Sequence, residues 1–239
     1  MNKKADVVIV GTGVAGLFSA LNLPDDKEII MITKSDAESS DSFLAQGGIC
    51  VLRDEQDYDS YFEDTMRAGH YENRKESVDI MIRSSGKIIE DLVGYGVEFE
   101  KDGEAFAYTR EGAHSRPRIL FHADVTGKEI TSKLLARVRE KNNVTIYEYT
   151  TMTDILEENG KCAGITVKTK SGEESSIYAD YTILASGGIG GLYQHSTNFP
   201  HLTGDALEVA KNITFVWSIW IMYRSIRLHC IRKSRADDS

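Results

Sequence analysis

Between Asp6 and Leu23 the chain reads DVVIVGTGVAGLFSALNL, an order of residues that few folds accommodate. Val7–Val10 is an unbroken β-branched run, suited to a strand covered on both faces. Gly11, Thr12, Gly13, Val14, Ala15 and Gly16 follow as GxGxxG and open an apolar-periodic helix expected from Val14 to about Leu23. Each glycine has a mechanical task. Gly11 permits the tight turn, Gly13 lets a pyrophosphate approach the backbone, and Gly16 lets helix and strand pack closely. The helix start offers unpaired N–H groups and a partial positive charge to the phosphates. A second strand, Glu28–Thr33, follows at the spacing of a βαβ unit. The expectation is an α/β fold built on a Rossmann-like parallel sheet that binds a dinucleotide. One residue departs from the common pattern: the second strand ends in Thr33-Lys34, where an acid that meets the ribose is usual.

Composition narrows the class. A chain of 239 residues, 41% hydrophobic and 27% charged, suits one large or two small globular domains. Its net charge of −9 argues against general nucleic-acid affinity, because phosphate binding draws on basic patches. The apolar run after the N-terminal lysines is too short for a signal-peptide core, and no segment has the length of a bilayer span. A cytoplasmic protein without a membrane partner is expected. Cys50, Cys162 and Cys230 form no CxxC pair and no disulfide framework, and no metal site is expected.

Four segments occur in order: GTGVAG at 11–16, DSFLAQGGI at 41–49, YTREGAHSRPRILFHADVTG at 108–127 and ILASGG at 183–188. Together they resemble the flavoprotein family of L-aspartate oxidase, succinate dehydrogenase and fumarate reductase, over residues 5 to about 210. The resemblance implies FAD as cofactor. A Ser/Thr-Lys pair is common in that family where the acid would stand, which places Lys34 at the adenosine end. It also implies that Asp41, Ser42, Phe43, Leu44, Ala45, Gln46, Gly47 and Gly48 wrap the flavin. Glycine at 47 and 48 suits a backbone that approaches a ring. Many relatives attach the flavin covalently to a histidine five residues before the glutamine. Here that position is Asp41, so the branch implied is L-aspartate oxidase, with FAD held non-covalently.

By the same resemblance Glu111 orients the substrate by accepting a hydrogen bond from its amino group. A carboxylate suits an ammonium and repels plain succinate. The alternative is a solvated loop acid. His114 and Arg118 lie nearby, where positive charge would help hold a dicarboxylate, while Arg116 and Pro117 carry no role. His114 alone is more often a structural histidine than a ligand.

Two amphipathic helical stretches are expected around 58–69 and 78–96, and a third through about Glu140, capped by Thr126 or Asp124. Val144–Tyr147 is strand-like. The alternation in ITVKTKSGEESSIYADYTILASGG reads as a small β-meander turning at Ser171-Gly172, followed by a buried strand Tyr181–Ala185. Gly187 and Gly188 end it where close backbone approach to the cofactor is needed. Asp205, in TGDALEVA, is either a further flavin contact or a helix N-terminal acid without ligand.

Residues 213–239 differ from the rest. They hold five Lys/Arg against two Asp/Glu, a charge of +3 that leaves −12 for residues 1–212, and they contain both tryptophans. Codons that can encode Met222–Ser239, read in another frame, spell QIHPTTLY, the motif that comes next in the resembled family. A frameshift near Ile213–Val216 is therefore expected. Residues 1–212 would form an incomplete FAD-binding domain, and 213–239 an out-of-frame tail, disordered or aggregation-prone, with the capping domain absent. A membrane-surface or anion-binding role for the tail is the alternative.

The function implied by resemblance is FAD-dependent oxidation of L-aspartate to iminoaspartate, with O2 or fumarate as acceptor, in NAD synthesis, with quinolinate synthase a candidate partner. The chain as written is expected to be inactive and to bind FAD weakly or not at all. Three rivals remain: a fumarate reductase or succinate dehydrogenase, disfavoured by Asp41 and Glu111; an NAD-dependent dehydrogenase, disfavoured by Lys34 and the AQGG motif; and a non-catalytic flavin-binding fragment.

Overall fold

The computed structural model describes residues 3–211. The expectations for 213–239 lie outside these residues. In chain order the elements are β1 (Lys3–Val10), α1 (Val14–Asn22), β2 (Ile29–Ile32), α2 (Asp41–Leu44), β3 (Ile49–Cys50), α3 (Tyr58–Ala68), α4 (Lys75–Gly94) and β4 (Lys101–Asp102). They continue with β5 (Ala105–Phe106), β6 (Ile119–Leu120), α5 (Thr126–Glu140), β7 (Val144–Tyr147), β8 (Thr150–Glu158), β9 (Lys161–Thr169), β10 (Glu174–Leu184) and α6 (Asp205–Lys211).

One six-stranded sheet, in the order β7-β2-β1-β10-β9-β8, organises the molecule. β7, β2, β1 and β10 run parallel. β9 and β8 continue the sheet antiparallel. The expected mixed α/β fold with a mainly parallel sheet is what forms. The β-branched run explains its centre, because alternate residues of a strand face opposite sides. Val7, Ile9, Ile29 and Met31 point into a core shared with Leu17 and Ala20 of α1 and Leu134, Leu135 and Val138 of α5. Val8, Val10, Ile30 and Ile32 face a second core with Met152, Ile165, Val167, Ile177 and, from α6, Ala206 and Val209. Burying one such side chain contributes about 1.5–3 kcal/mol. A third cluster, Tyr61, Met66, Val78 and Ile82, joins α3 to α4.

Three expectations need correction. The meander is not an insertion beside the sheet: β10 is one strand that pairs with β9 through its first half and with β1 along most of its length. The meander also starts earlier, at β8, whose polar sequence TTMTDILEE gives little periodic signal. The segment from Tyr181 is not buried; Tyr181 is 71% exposed, and Leu184 is exposed too. The cause is Gly164, at φ +133, where a side chain would strike the Ile177 carbonyl. β9 leaves β10 there, so the β9–β10 ladder ends at Tyr178.

The third correction concerns α5. Val125 occupies its cap position without a side-chain cap bond, and neither Thr126 nor Asp124 caps it. Thr126 is instead buried inside the first turn, its hydroxyl oxygen accepting from the His122 N–H at 2.9 Å. Among the described residues no helix is long and apolar enough to cross a membrane.

Candidate cofactor and substrate site

In a parallel sheet, ligands gather at the carboxyl ends of the strands. β1 ends just before Gly11, β2 just before Thr33-Lys34, and β10 just before Ala185, and these three ends border one cleft of about 260 Å³, joined by Thr150 and Thr151 at the start of β8. Gly11, Thr12, Gly13, Val14, Ala15, Lys34, Asp41, Ser42, Gly187, Gly188 and Asp205 line it. Gly11 has φ +113, and a Cβ on it would lie 2.2 Å from the Ala185 carbonyl oxygen, so only glycine makes this turn. A Cβ on Gly16 would sit 2.1 Å from the Gly11 oxygen, which is the close helix–strand packing expected of it. Gly16 therefore shapes the cleft without lining it.

The start of α1 faces the cleft uncapped by its own Gly13. Ser42 reaches across from α2, its Oγ accepting from the Val14 N–H at 3.0 Å. Two hydroxyls at the cleft have no partner among the described residues, Thr12 Oγ1 and Ser40 Oγ, in residues 2% and 9% exposed; away from it, Thr131 Oγ1 is also unpartnered. A buried hydroxyl without a partner costs about 1–3 kcal/mol, so the cleft suits a polar ligand that supplies those bonds. A positive helix end beside them favours an anionic one.

Lys34 and Asp205 form a unit. The Lys34 ammonium lies 2.9 Å from an Asp205 oxygen and donates to Thr203 Oγ1 at 2.7 Å. The Thr203 hydroxyl donates to Asp205 at 2.6 Å. Asp205 is the first residue of α6 and lines the cleft. Asp41 accepts from the Phe199 N–H at 3.0 Å and from the Asn198 side-chain amide. It thereby ties α2 to the segment between β10 and α6.

Phe43, Leu44, Ala45, Gln46, Gly47 and Gly48 lead away from this cleft towards residues 109–120. A Cβ on Gly48 would lie 2.2 Å from Ile119 Cγ2, and one on Gly47 would lie 3.1 Å from Glu111 Oε1. Gly48 is thus demanded by this chain's own packing, apart from any ring, whereas a side chain at 47 would ask only that Glu111 shift slightly. The same contact places the Glu111 carboxylate beside Gly47.

His114 and Arg118 do not line the cleft, and Arg118 corrects the expectation placed on it. It is fully buried, with both its Nε and Nη2 held by Asp57 at 2.9 and 2.8 Å. Its Nη1 donates to Asp64 at 2.7 Å, and Nη2 also reaches Ser60 Oγ at 2.8 Å. A guanidinium so engaged has no donor free for a dicarboxylate; it pins the end of the Glu111 loop onto α3. Burial alone would raise the Asp64 pKa, but the Ser115 N–H and hydroxyl and the Arg118 guanidinium outweigh it and hold it at about 2. Burial also opposes ionisation of Asp57, and hydrogen bonds from Arg118 and Ser60 reverse that, lowering its pKa.

His114 Nδ1 lies 3.1 Å from Arg118 Nη1. A guanidinium can only donate, so Nδ1 accepts and Nε2 carries the proton, pointing at Cys50 Sγ at 3.4 Å. Burial, then the Arg118 charge, lowers the His114 pKa. The ring is neutral at pH 7 and brings no positive charge.

Sequence reasoning missed Ser39, Ser40, Thr150, Thr151, Ser186 and His201, all of which border the cleft. Thr150 and Thr151 open β8, whose polar sequence TTMTDILEE gives little signal of its own.

The sheet, the glycine turn and the cleft at the strand ends define a dinucleotide-binding flavoprotein domain. A family model described as FAD binding domain matches residues 6–216, and the chain belongs to that family. Its cofactor is FAD. Among its relatives, L-aspartate oxidase of Clostridium perfringens is 46% identical over 88% of this chain and 48% of its own length. L-aspartate oxidase of Bacillus subtilis is 35% identical over 88% of this chain and 40% of its own. The chain spans about half the length, or less, of these curated relatives. Of solved structures, E. coli quinol fumarate reductase FrdA superposes with TM-score 0.84 at 25% identity, over 89% of this chain and 37% of that one. Mycobacterium smegmatis Sdh1 gives 0.80 at 25% identity, over 89% and 38%.

Proposed function

We propose that residues 6 to about 212 are the FAD-holding part of an L-aspartate oxidase, which converts L-aspartate to iminoaspartate with O2 or fumarate as the final acceptor. The contact between Glu111 and Gly47 carries this reading: the one acid suited to an ammonium sits against the backbone expected to meet the flavin. The names of the relatives support the substrate. The fumarate reductase likeness fits fumarate as acceptor.

FAD, when bound, would supply the acceptor for a hydride from the substrate α-carbon. The chain's residues hold and orient. The α1 start with Thr12, Ser40 and Ser42 would receive the pyrophosphate, Lys34 and Asp205 the sugar hydroxyls, and Gln46-Gly47-Gly48 the ring by backbone N–H groups. Glu111 would accept from the substrate ammonium, fixing the α-carbon against the ring. Asp41 cannot form a histidyl-flavin bond, so the cofactor is held non-covalently. Arg118, engaged by Asp57 and Asp64, is not the cation that meets a substrate carboxylate. For that reason we also propose that the 239-residue chain does not turn over aspartate by itself. A cytoplasmic site fits the free Cys50 and Cys162. Supply of iminoaspartate to quinolinate synthase would follow from the reaction.

Glu111 tests the reading. In FAD-loaded protein, L-aspartate should perturb the flavin absorbance and succinate should not. Glu111→Gln should weaken the aspartate effect about tenfold, one charge-assisted hydrogen bond becoming neutral. Equal responses to aspartate and succinate would favour the fumarate reductase reading.

A further inference from the structure

The segment between β10 and α6 closes on itself: the Gly191 N–H donates to the Leu202 carbonyl at 2.8 Å. There is no room for a side chain on Gly191, whose Cβ would lie 2.6 Å from the Pro200 oxygen. This compact loop, residues 189–203, brings His201 and Leu202 to one wall of the cleft. Residues 34–41, of which Lys34, Ser39, Ser40 and Asp41 line the cleft, stand against it, and four bonds cross between the two segments. Asp41 accepts from the Asn198 amide and from the Phe199 N–H at 3.0 Å. His201 Nε2–H donates to the Ser39 carbonyl at 3.0 Å. Lys34 donates to Thr203 Oγ1 at 2.7 Å. Every one of these tethers uses a side chain, so rotamer changes release them without unzipping a ladder. Both Asp41 oxygens are engaged by the loop, whereas resemblance alone placed Asp41 on the flavin.

We propose that residues 189–203 are a strap that retains FAD in the cleft, with Asp41 as its latch, so that cofactor exchange requires the latch to open. Asp41 is thus a positioning residue, acting on FAD through the strap. The inference rests on the cleft being the FAD site. Retention devices act on dissociation more than on association.

The experiment uses the whole 239-residue chain, with Asp41→Ala, Asp41→Asn and, from the strap's side, Asn198→Ala. Amide exchange on cofactor-free protein reads the latch itself, and stopped-flow flavin fluorescence reads FAD dissociation. Asp41→Ala should speed exchange in the strap, leave β1 protected, and raise the dissociation rate about tenfold or more. Asp41→Asn, which can still accept from Phe199, should fall between. Asn198→Ala should shift both readouts in the same direction, and it decides the matter if Asp41→Ala does not fold. Faster strap exchange with unchanged FAD release would overturn the proposal, since a purely structural tether behaves that way. Unchanged strap exchange would show that no latch exists. If the unaltered chain takes up no FAD, the cleft reading fails and the strap retains nothing, while exchange still reports whether Asp41 ties it down.

Discussion

At the scale of single residues, Arg118 shows how burial decides meaning. Two carboxylates on one buried guanidinium leave no open donor, and an uncompensated charge there would cost about 3–5 kcal/mol. The folded pKa of Asp64, about 2, lies below its unfolded value, so its contribution is complete above roughly pH 4 and lost as pH falls towards 2. That contribution is about 2 kcal/mol. Asp64→Asn should lower stability at pH 7 and flatten the stability–pH curve between 4 and 2, read by urea unfolding across that range. A curve as steep as that of the unaltered chain would show that Asp64 does not carry the effect. The sequence could not reveal this. Arg118 stands in a motif beside Glu111 and reads as a ligand, while its partners Asp57 and Asp64 lie 61 and 54 positions earlier. The glycines of the first turn were legible because their constraint is local, as Gly11 at φ +113 confirms.

At the scale of elements, strong periodicity was enough for α3, α4, α5 and the strands β1 and β2. It failed for β8, which is too polar to announce a buried face, and for the end of β10, whose exposure depends on where β9 turns away at Gly164. Half of the cleft was missed for a related reason, since Ser39, Thr150 and His201 meet only after the sheet is assembled. Contact between α2 and α5 illustrates what assembly adds. The Gly127 N–H donates to the Ala45 carbonyl at 2.8 Å, and a Cβ on Gly127 would lie 2.2 Å from the Ser42 oxygen. Gly127→Ala should push residues 42–45 outward, destabilising the protein by about 1–3 kcal/mol. It should also weaken FAD binding, because Ser42 would leave the start of α1. Urea unfolding and a flavin titration check the two effects separately.

For the whole molecule, one stretch of sheet matters beside the edge strands β7 and β8. Beyond Tyr178 the β9–β10 ladder stops, with the Cys162–Thr182 side-chain bond spanning the gap, and Tyr181 and Leu184 are exposed there. Edges of this kind invite pairing with another chain, and charge blunts them. The 239-residue protein should therefore self-associate with rising concentration, and Tyr181→Lys should reduce that in sedimentation velocity without lowering the melting temperature. Association unaltered by the lysine would place the sticky surface elsewhere.

The seat of Glu111 against Gly47 reaches further still. The carboxylate stands 3.1 Å from where a Cβ at 47 would sit, so a side chain there would push Glu111 aside. A side chain grafted onto 47 would therefore be felt first not in the glycine's own turn but in where the acid at 111 aims.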